Sequence, residues 1–400
     1  MTNRQAAIQI IKRLQHKGFT ALLAGGCVRD MLLRRRAKDY DVATNALPED
    51  VIRLFKRTLK VGAKFGVVIV LIEGRQVEVA TFRTEAGYAD GRHPSKVQFA
   101  DPAEDAARRD FTINGMFYDP LKKKVIDFVE GQADLKRKRI RTIGLPHERF
   151  SEDYLRMLRA IRFSTQLNFA IEKNTRKAIG NNAKNITKIS GERIAAELEG
   201  ILISPRRAAG ASLLFNSGLA DSIFPALAAK SAVNVLSKLP KNSDFILALA
   251  ALFADRSTEF ALEKCRILKL SRNQIKHIKF LLANRGKLLN DKMSLAELKM
   301  LLAEPYSDDL YQLQKAIQKA SQKSAAALLN LRKRIKSLGN IELKPKPLLN
   351  GHDLMKLGAV PGPALGQLAR ELYIAQLEGI IHTPRLAEDW VIKWLQKHQQ

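Results

Sequence analysis

The chain has 400 residues, 46% of them hydrophobic, enough to bury more than one core, so two to four domains are expected. Lys and Arg number 68 against 40 Asp and Glu, and the formal charge of +28 is spread along the sequence, the footprint of a polyanionic partner with nucleic acid as first candidate. Cys27 and Cys265 stand far apart without zinc-ligand spacing, and no apolar run reaches signal-peptide or membrane-span length, which argues against a disulfide scaffold, a zinc module or a membrane anchor and points to a soluble protein in a reducing cytoplasm.

In chain order, an amphipathic helix is predicted through about residue 17, then a strand from Thr20 to Ala24, a Gly25-Gly26 turn and a helix in GGCVRDMLL. Strands follow in YDVAT, KFGVVIVLIEG and RQVEVATF, runs rich in Val, Ile and Thr between Gly or charged turns. After Gly144 the strand signal nearly vanishes, and YLRMLRAIRF, RIAAELEGILI, FILALAALFA and LAELKMLLA repeat apolar residues at three and four. The fold class is therefore α+β, with a mixed-sheet domain over 1–143 and helical segments over 144–205, 206–340 and 341–400. Seams are expected at ILISPRR, KLPKNSD and the proline-rich IELKPKPLLNG. Ser294 and Glu297 have the spacing of a capping box, in which each side chain satisfies the other's free backbone donor.

The chemistry-bearing residues lie in the first half. Asp39 and Asp41 in DYD would project from one face of a strand, where two carboxylates repel unless a cation sits between them. Mg²⁺ suits that need, since it takes hard oxygen ligands and shares its shell with substrate phosphates. Upstream, Gly25 and Gly26 permit close backbone approach to a phosphate ahead of a helix carrying Arg29. Glu78 in VEVATF offers a third acid, directed inward with Val77 and Val79 opposite. In AARRDFTINGMFYD, Arg108 and Arg109 can clamp phosphates while Asp110 or Asn114 bonds a ribose hydroxyl.

Together GGCVRD, DYDVAT and RRDFTIN resemble the tRNA nucleotidyltransferases and bacterial poly(A) polymerases, the second class of the polymerase-beta-like nucleotidyltransferase superfamily. The resemblance implies a nucleotidyltransferase head followed by helical neck, body and tail, and a magnesium-dependent enzyme that transfers nucleotides from CTP and ATP to the acceptor end of tRNA and releases pyrophosphate. By the same resemblance, Asp39 and Asp41 match the metal-binding acids, Gly26 and Arg29 the triphosphate contacts and Arg109 a second nucleotide clamp. No obligate protein partner is implied. Complete CCA addition, addition of A alone and polyadenylation all share these head motifs.

HERFSEDYLRMLRAIRF resembles the family's nucleotide-selecting helix, with Ser151 expected as N-cap and Leu155, Leu158 and Ile161 as its buried stripe. Asp153, Arg156, Arg159 and Arg162 recur every three residues as a polar stripe, either a solvated face with an Asp153 to Arg156 ion pair or a base reader. Cytosine and adenine each present an amino donor beside a ring-nitrogen acceptor, matching a carboxylate and a guanidinium. Uracil and guanine reverse the pattern and would leave groups unpaired at about 1 to 3 kcal/mol each.

Residues 83–106 are Gly- and charge-rich and resemble the family's specificity-changing loop, a segment that CC-only enzymes tend to lack. The tail from Leu348 resembles CCA-adding and A-adding enzymes, with PGPALG opening a helix and Asp353 expected as an N-cap rather than a metal ligand. Arg206, Arg207, Lys276 and Lys279, and the basic stretch 121–143, are candidate contacts for RNA phosphates.

Overall fold

Seven strands of the first 143 residues assemble into one mixed sheet, in the order Thr58–Leu59, Val67–Ile72, Arg75–Thr81, Asp41–Thr44, Ala21–Ala24, Met116–Asp119 and Lys124–Asp127. The computed structural model describes residues 1–60, 65–88, 94–290, 292–339 and 341–398. The strands are β1 (Ala21–Ala24), β2 (Asp41–Thr44), β3 (Thr58–Leu59), β4 (Val67–Ile72), β5 (Arg75–Thr81), β8 (Met116–Asp119) and β9 (Lys124–Asp127). All four β1 residues are buried, as expected of a short apolar strand with neighbours on both sides. Helix α1 (Asn3–His16) turns Ala6, Ala7, Ile10, Ile11 and Leu14 inward at helical spacing and is started by a Thr2 to Gln5 capping box.

Register positions the site. β1 pairs antiparallel with β2, setting Ala24 opposite Asp41, while β2 runs parallel to β5 with Val42 opposite Val79. The Gly25 turn after β1, the start of β2 and Glu78 of β5 are thereby drawn to one end of the sheet. Helix α2 (Gly26–Leu32) leaves that turn, and α3 (Pro48–Leu54) follows β2.

The charge-rich stretch 83–106 contains more regular structure than its composition suggests. β6 (Arg83–Tyr88) and β7 (Pro94–Phe99) pair antiparallel as a separate two-stranded sheet, and α4 (Pro102–Ala107) follows. Neither RTEAGY nor PSKVQF sustains the apolar pattern that marked β1, β2, β4 and β5, and β3, β8 and β9 were likewise not expected from the sequence. The tip, residues 89–93, lies outside the described residues.

Helices α5 (Gly131–Lys136), α6 (Pro146–Glu152), α7 (Leu155–Leu167), α8 (Lys173–Asn182) and α9 (Gly191–Leu202) carry the chain onward, with a short parallel pair between β10 (Arg139–Ile140) and β11 (Ala170–Ile171). Ser151 is not the N-cap of the helix expected to select nucleotides. Pro146 opens α6 earlier, Ser151 lies inside it with Oγ donating to the Glu148 carbonyl, and Tyr154 precedes α7. Asp153 is extended, with φ −151 and ψ 103, and separates the two helices. Leu155, Leu158 and Ile161 are buried as expected.

Packing divides the chain into two units, Met1–Ala229 with Lys264–Leu270, and Lys230–Glu263 with Ser271–Gln400. In the first, Gly191 is required by close approach: a Cβ there would lie 1.9 Å from the Ile267 carbonyl oxygen. Arg207 is buried and donates to the Ser204 carbonyl, so it is no open phosphate contact. In the second, Ser294 and Glu297 form the expected capping box. Asn350, not Asp353, caps the helix Gly351–Lys356; Asp353 is the reciprocal partner that accepts from the Asn350 backbone. Leu354, Leu368, Leu372, Val391 and Trp394 form a core near the C-terminal end. Among the described residues no helix is long and apolar enough to cross a membrane.

Candidate active site

Asp41 begins β2 and Asp39 stands two residues before it, outside the strand, so strand alternation alone does not bring the two together. They and Glu78 nonetheless line one cavity of 220 Å³. Glu78 projects from the face opposite the buried Val77 and Val79 and is exposed to the cavity, not to the core. Burial of the Asp41 carboxyl, then repulsion from Glu78 and Asp39, pushes its pKa up to about 6, against a smaller pull from Arg109. Among the described residues none of these three acids makes an ion pair. They form a concentration of negative charge that a hard divalent cation would relieve.

Beside them opens a cleft of 490 Å³, lined by Gly25, Gly26, Arg29, Asp41, Arg109, Asp110, Asn114, Asp153, Arg156 and Arg159. Gly25 has φ +72, a conformation few L residues adopt, and a Cβ there would stand 2.9 Å from Arg109 Nη1. The glycine thus brings the backbone close to a cation on the cleft wall.

A chain of polar contacts organises the floor. Arg29 donates through Nε to Asp30 at 2.9 Å and through Nη1 to Asn114 Oδ1 at 2.7 Å. Asn114 Nδ2 donates to Asp110 at 3.0 Å, and Arg159 closes on Asp110 at 2.7 Å. Burial alone would raise the Asp110 carboxyl, but Arg159, Asn114 and the Phe111 amide outweigh it and hold it at about 2. Arg109 is fixed by Asp105, whose own pKa is lowered, against its burial, by Arg109 and Arg108.

Asp153 and Arg156, the pair expected to read the base, are arranged differently from the expected helical stripe. Asp153 does not pair with Arg156. It accepts from the Leu155 amide at 3.1 Å and from Arg193 at 2.7 Å. Arg156 Nη1 donates to Glu152 at 2.5 Å and to the Arg149 carbonyl at 2.9 Å. Each group is held by a partner of its own, leaving the rest of the Arg156 guanidinium to donate elsewhere. Arg162 faces another way: it pairs with Glu197 at 2.5 Å and lines a neighbouring 530 Å³ cavity that shares Gly26, Arg29 and Asp41 with the cleft.

Sequence reasoning passed over Arg193 and Glu197, which project from α9 and reach Asp153, Arg159 and Arg162. Their signal was an Arg and a Glu at i and i+4 within the apolar RIAAELEGILI. Phe163 was also passed over; Arg29, Arg159 and Arg162 all stack on its buried ring, with Arg162 4.3 Å from the centroid.

The Poly A polymerase head domain family matches residues 21–141, and the family described as probable RNA and SrmB- binding site of polymerase A matches residues 168–231. The CCA-adding enzyme of Streptococcus gordonii is 35% identical over 387 residues, spanning 95% of this chain and 94% of its own length. That of Lacticaseibacillus paracasei is 36% identical over 378 residues, spanning 92% and 90%. The crystal structure of the Bacillus stearothermophilus CCA-adding enzyme in complex with CTP superposes with a TM-score of 0.83 at 30% identity, covering 100% of this chain and 99% of that one. The Thermotoga maritima CCA-adding enzyme complexed with tRNA-CCA has the same fold, with a TM-score of 0.69 at 22% identity over 98% and 95% of the two chains. Likeness of this degree along nearly the whole of both chains means that the protein belongs to the CCA-adding enzyme family of nucleotidyltransferases, which generally use divalent metal ions.

Proposed function

We propose that this protein adds C and A from CTP and ATP to the 3′ end of tRNA, completing or repairing CCA without a nucleic-acid template. The observation that carries the reading is a triad of acids that make no ion pair among the described residues, beside an arginine-lined cleft large enough for a nucleotide. Mg²⁺ held by Asp39 and Asp41 would lower the pKa of the attacking 3′-hydroxyl and offset charge on the phosphates. Gly25 and Gly26 keep that wall free of side chains, and Arg29 and Arg109 stabilise charge developing on the pyrophosphate. Glu78 adds a third carboxylate beside the acids.

Base choice follows from Asp153 and Arg156. A carboxylate already anchored by Arg193 accepts from the amino group of C or A, and a guanidinium anchored by Glu152 donates to the ring nitrogen. Arg159, Asp110 and Asn114 support that wall, and Arg162 supports the adjoining one. The head is assigned to 1–143, the neck to 144–205, the body to 206–340 and the tail to 341–400, with RNA contacts extending into the tail and the reaction set in the cytoplasm.

The test is extension of tRNAs ending before CCA, at C and at CC, with Mg²⁺ and labelled CTP or ATP. Full CCA products on every substrate are expected. Extension of CC ends by A alone would replace the reading with an A-adding enzyme, and long tails on any RNA with a poly(A) polymerase.

A further inference from the structure

We propose that Asp244, His277 and Asp309 bind a divalent transition-metal ion that ties three helices of the second unit together. Asp244 precedes helix Phe245–Leu252, His277 sits in helix Arg272–Asn284, and Asp309 lies in the first turn of helix Ser307–Ala320. One ligand atom from each lies within 4.8 Å of the others.

The histidine points to the ion. Its residue is 8% exposed, and its Nε2 is buried without a hydrogen bond although Asp309 Oδ2 stands 3.0 Å away. An N to O separation of about 3 Å is what two ligands at about 2.1 Å subtend at a right angle around an octahedral ion. The ring is held in place by stacking on Tyr306, centroids 4.1 Å apart and planes inclined 14°.

Asp244 Oδ1 already caps its helix by accepting from Leu247 at 2.7 Å, which orients the carboxylate and leaves Oδ2 for the ion. Two carboxylates and one imidazole favour Zn²⁺, Mn²⁺ or Co²⁺ over Mg²⁺, which prefers an all-oxygen shell. Asp244 is exposed and Asp309 partly so, leaving room for water in the remaining positions.

The experiment uses the full chain carrying Asp39→Ala and Asp41→Ala, to remove the carboxylates of the head, dialysed against Zn²⁺. One bound equivalent per chain and a rise in Tm with Zn²⁺ are expected. Adding His277→Ala should abolish both, and Asp244→Asn, which retains a capping oxygen, should weaken binding at least about 10-fold. Asp309→Asn replaces His277→Ala if that variant fails to fold. Saturable Zn²⁺ uptake that survives these substitutions, or no uptake at all, would overturn the proposal and leave His277 and Asp309 as an ion pair only.

Discussion

Two sets of acids stand within the first unit and differ in one respect. Asp105 and Asp110 each have an arginine at 2.7 to 2.9 Å, whereas Asp39, Asp41 and Glu78 have each other. The first set is satisfied by the fold and holds cleft walls in place. The second is left in mutual repulsion, a cost that folding alone does not recover but a bound cation would. Partnership, more than acidity, separates scaffold from chemistry in this domain.

The sharpest way to break that contrast is Asp39→Ala or Asp41→Ala. Each should lower nucleotide transfer by about 10³-fold or more while Tm stays level or rises, because repulsion is relieved. Near-normal turnover in single-turnover assays would remove the central role given to these acids. Next, Asp153→Ala should reduce discrimination of C and A against U and G by about 10- to 100-fold in competition among all four nucleotides. An unchanged preference would place Asp153, like Asp110, among the acids that only hold the walls.

Asp110→Asn tests the scaffold set directly, and roughly 2 kcal/mol of stability should be lost from its pairing with Arg159. The native carboxyl is held at about 2, below its ordinary 3.8. Its contribution is therefore complete above about pH 4 and lost only as pH falls toward 2, so denaturant titrations should show the same deficit from pH 5 to 8. A deficit that changes across that window would point to another group. The smallest effect is expected from Arg193→Ala, about 1 kcal/mol, because the pair with Asp153 is partly solvated. Its base selectivity should fall less than that of Asp153→Ala, since the Leu155 amide still holds the carboxylate.

The helical and strand periods, the Ser294 capping box and the three head motifs were legible because each rests on residues a few positions apart. Ser151 misled because a good capping residue stood near a helix whose start Pro146 had already moved, and Asp353 because Asn350 was the better cap three residues earlier. The strands of residues 58–59, 83–88, 94–99, 116–119 and 124–127 escaped notice because each is too short or too mixed in composition for its apolar pattern to stand out.

What the sequence alone determined about this protein is the chemistry at hand: acids in DYD, glycines before a helix, and arginines and an aspartate in RRD. Their residue types survive any arrangement of the chain. Tertiary structure decided which acid is paired and which is left free. Asp110 and Arg159 are 49 residues apart and Asp153 and Arg193 are 40 apart, so no local pattern specifies either pair. The packing of α7 and α9 and the register of β1, β2 and β5 do. The same register sets Asp41 beside Glu78, where repulsion between the two carboxylates outweighs the pull of Arg109, and that concentration of negative charge is a property of the fold.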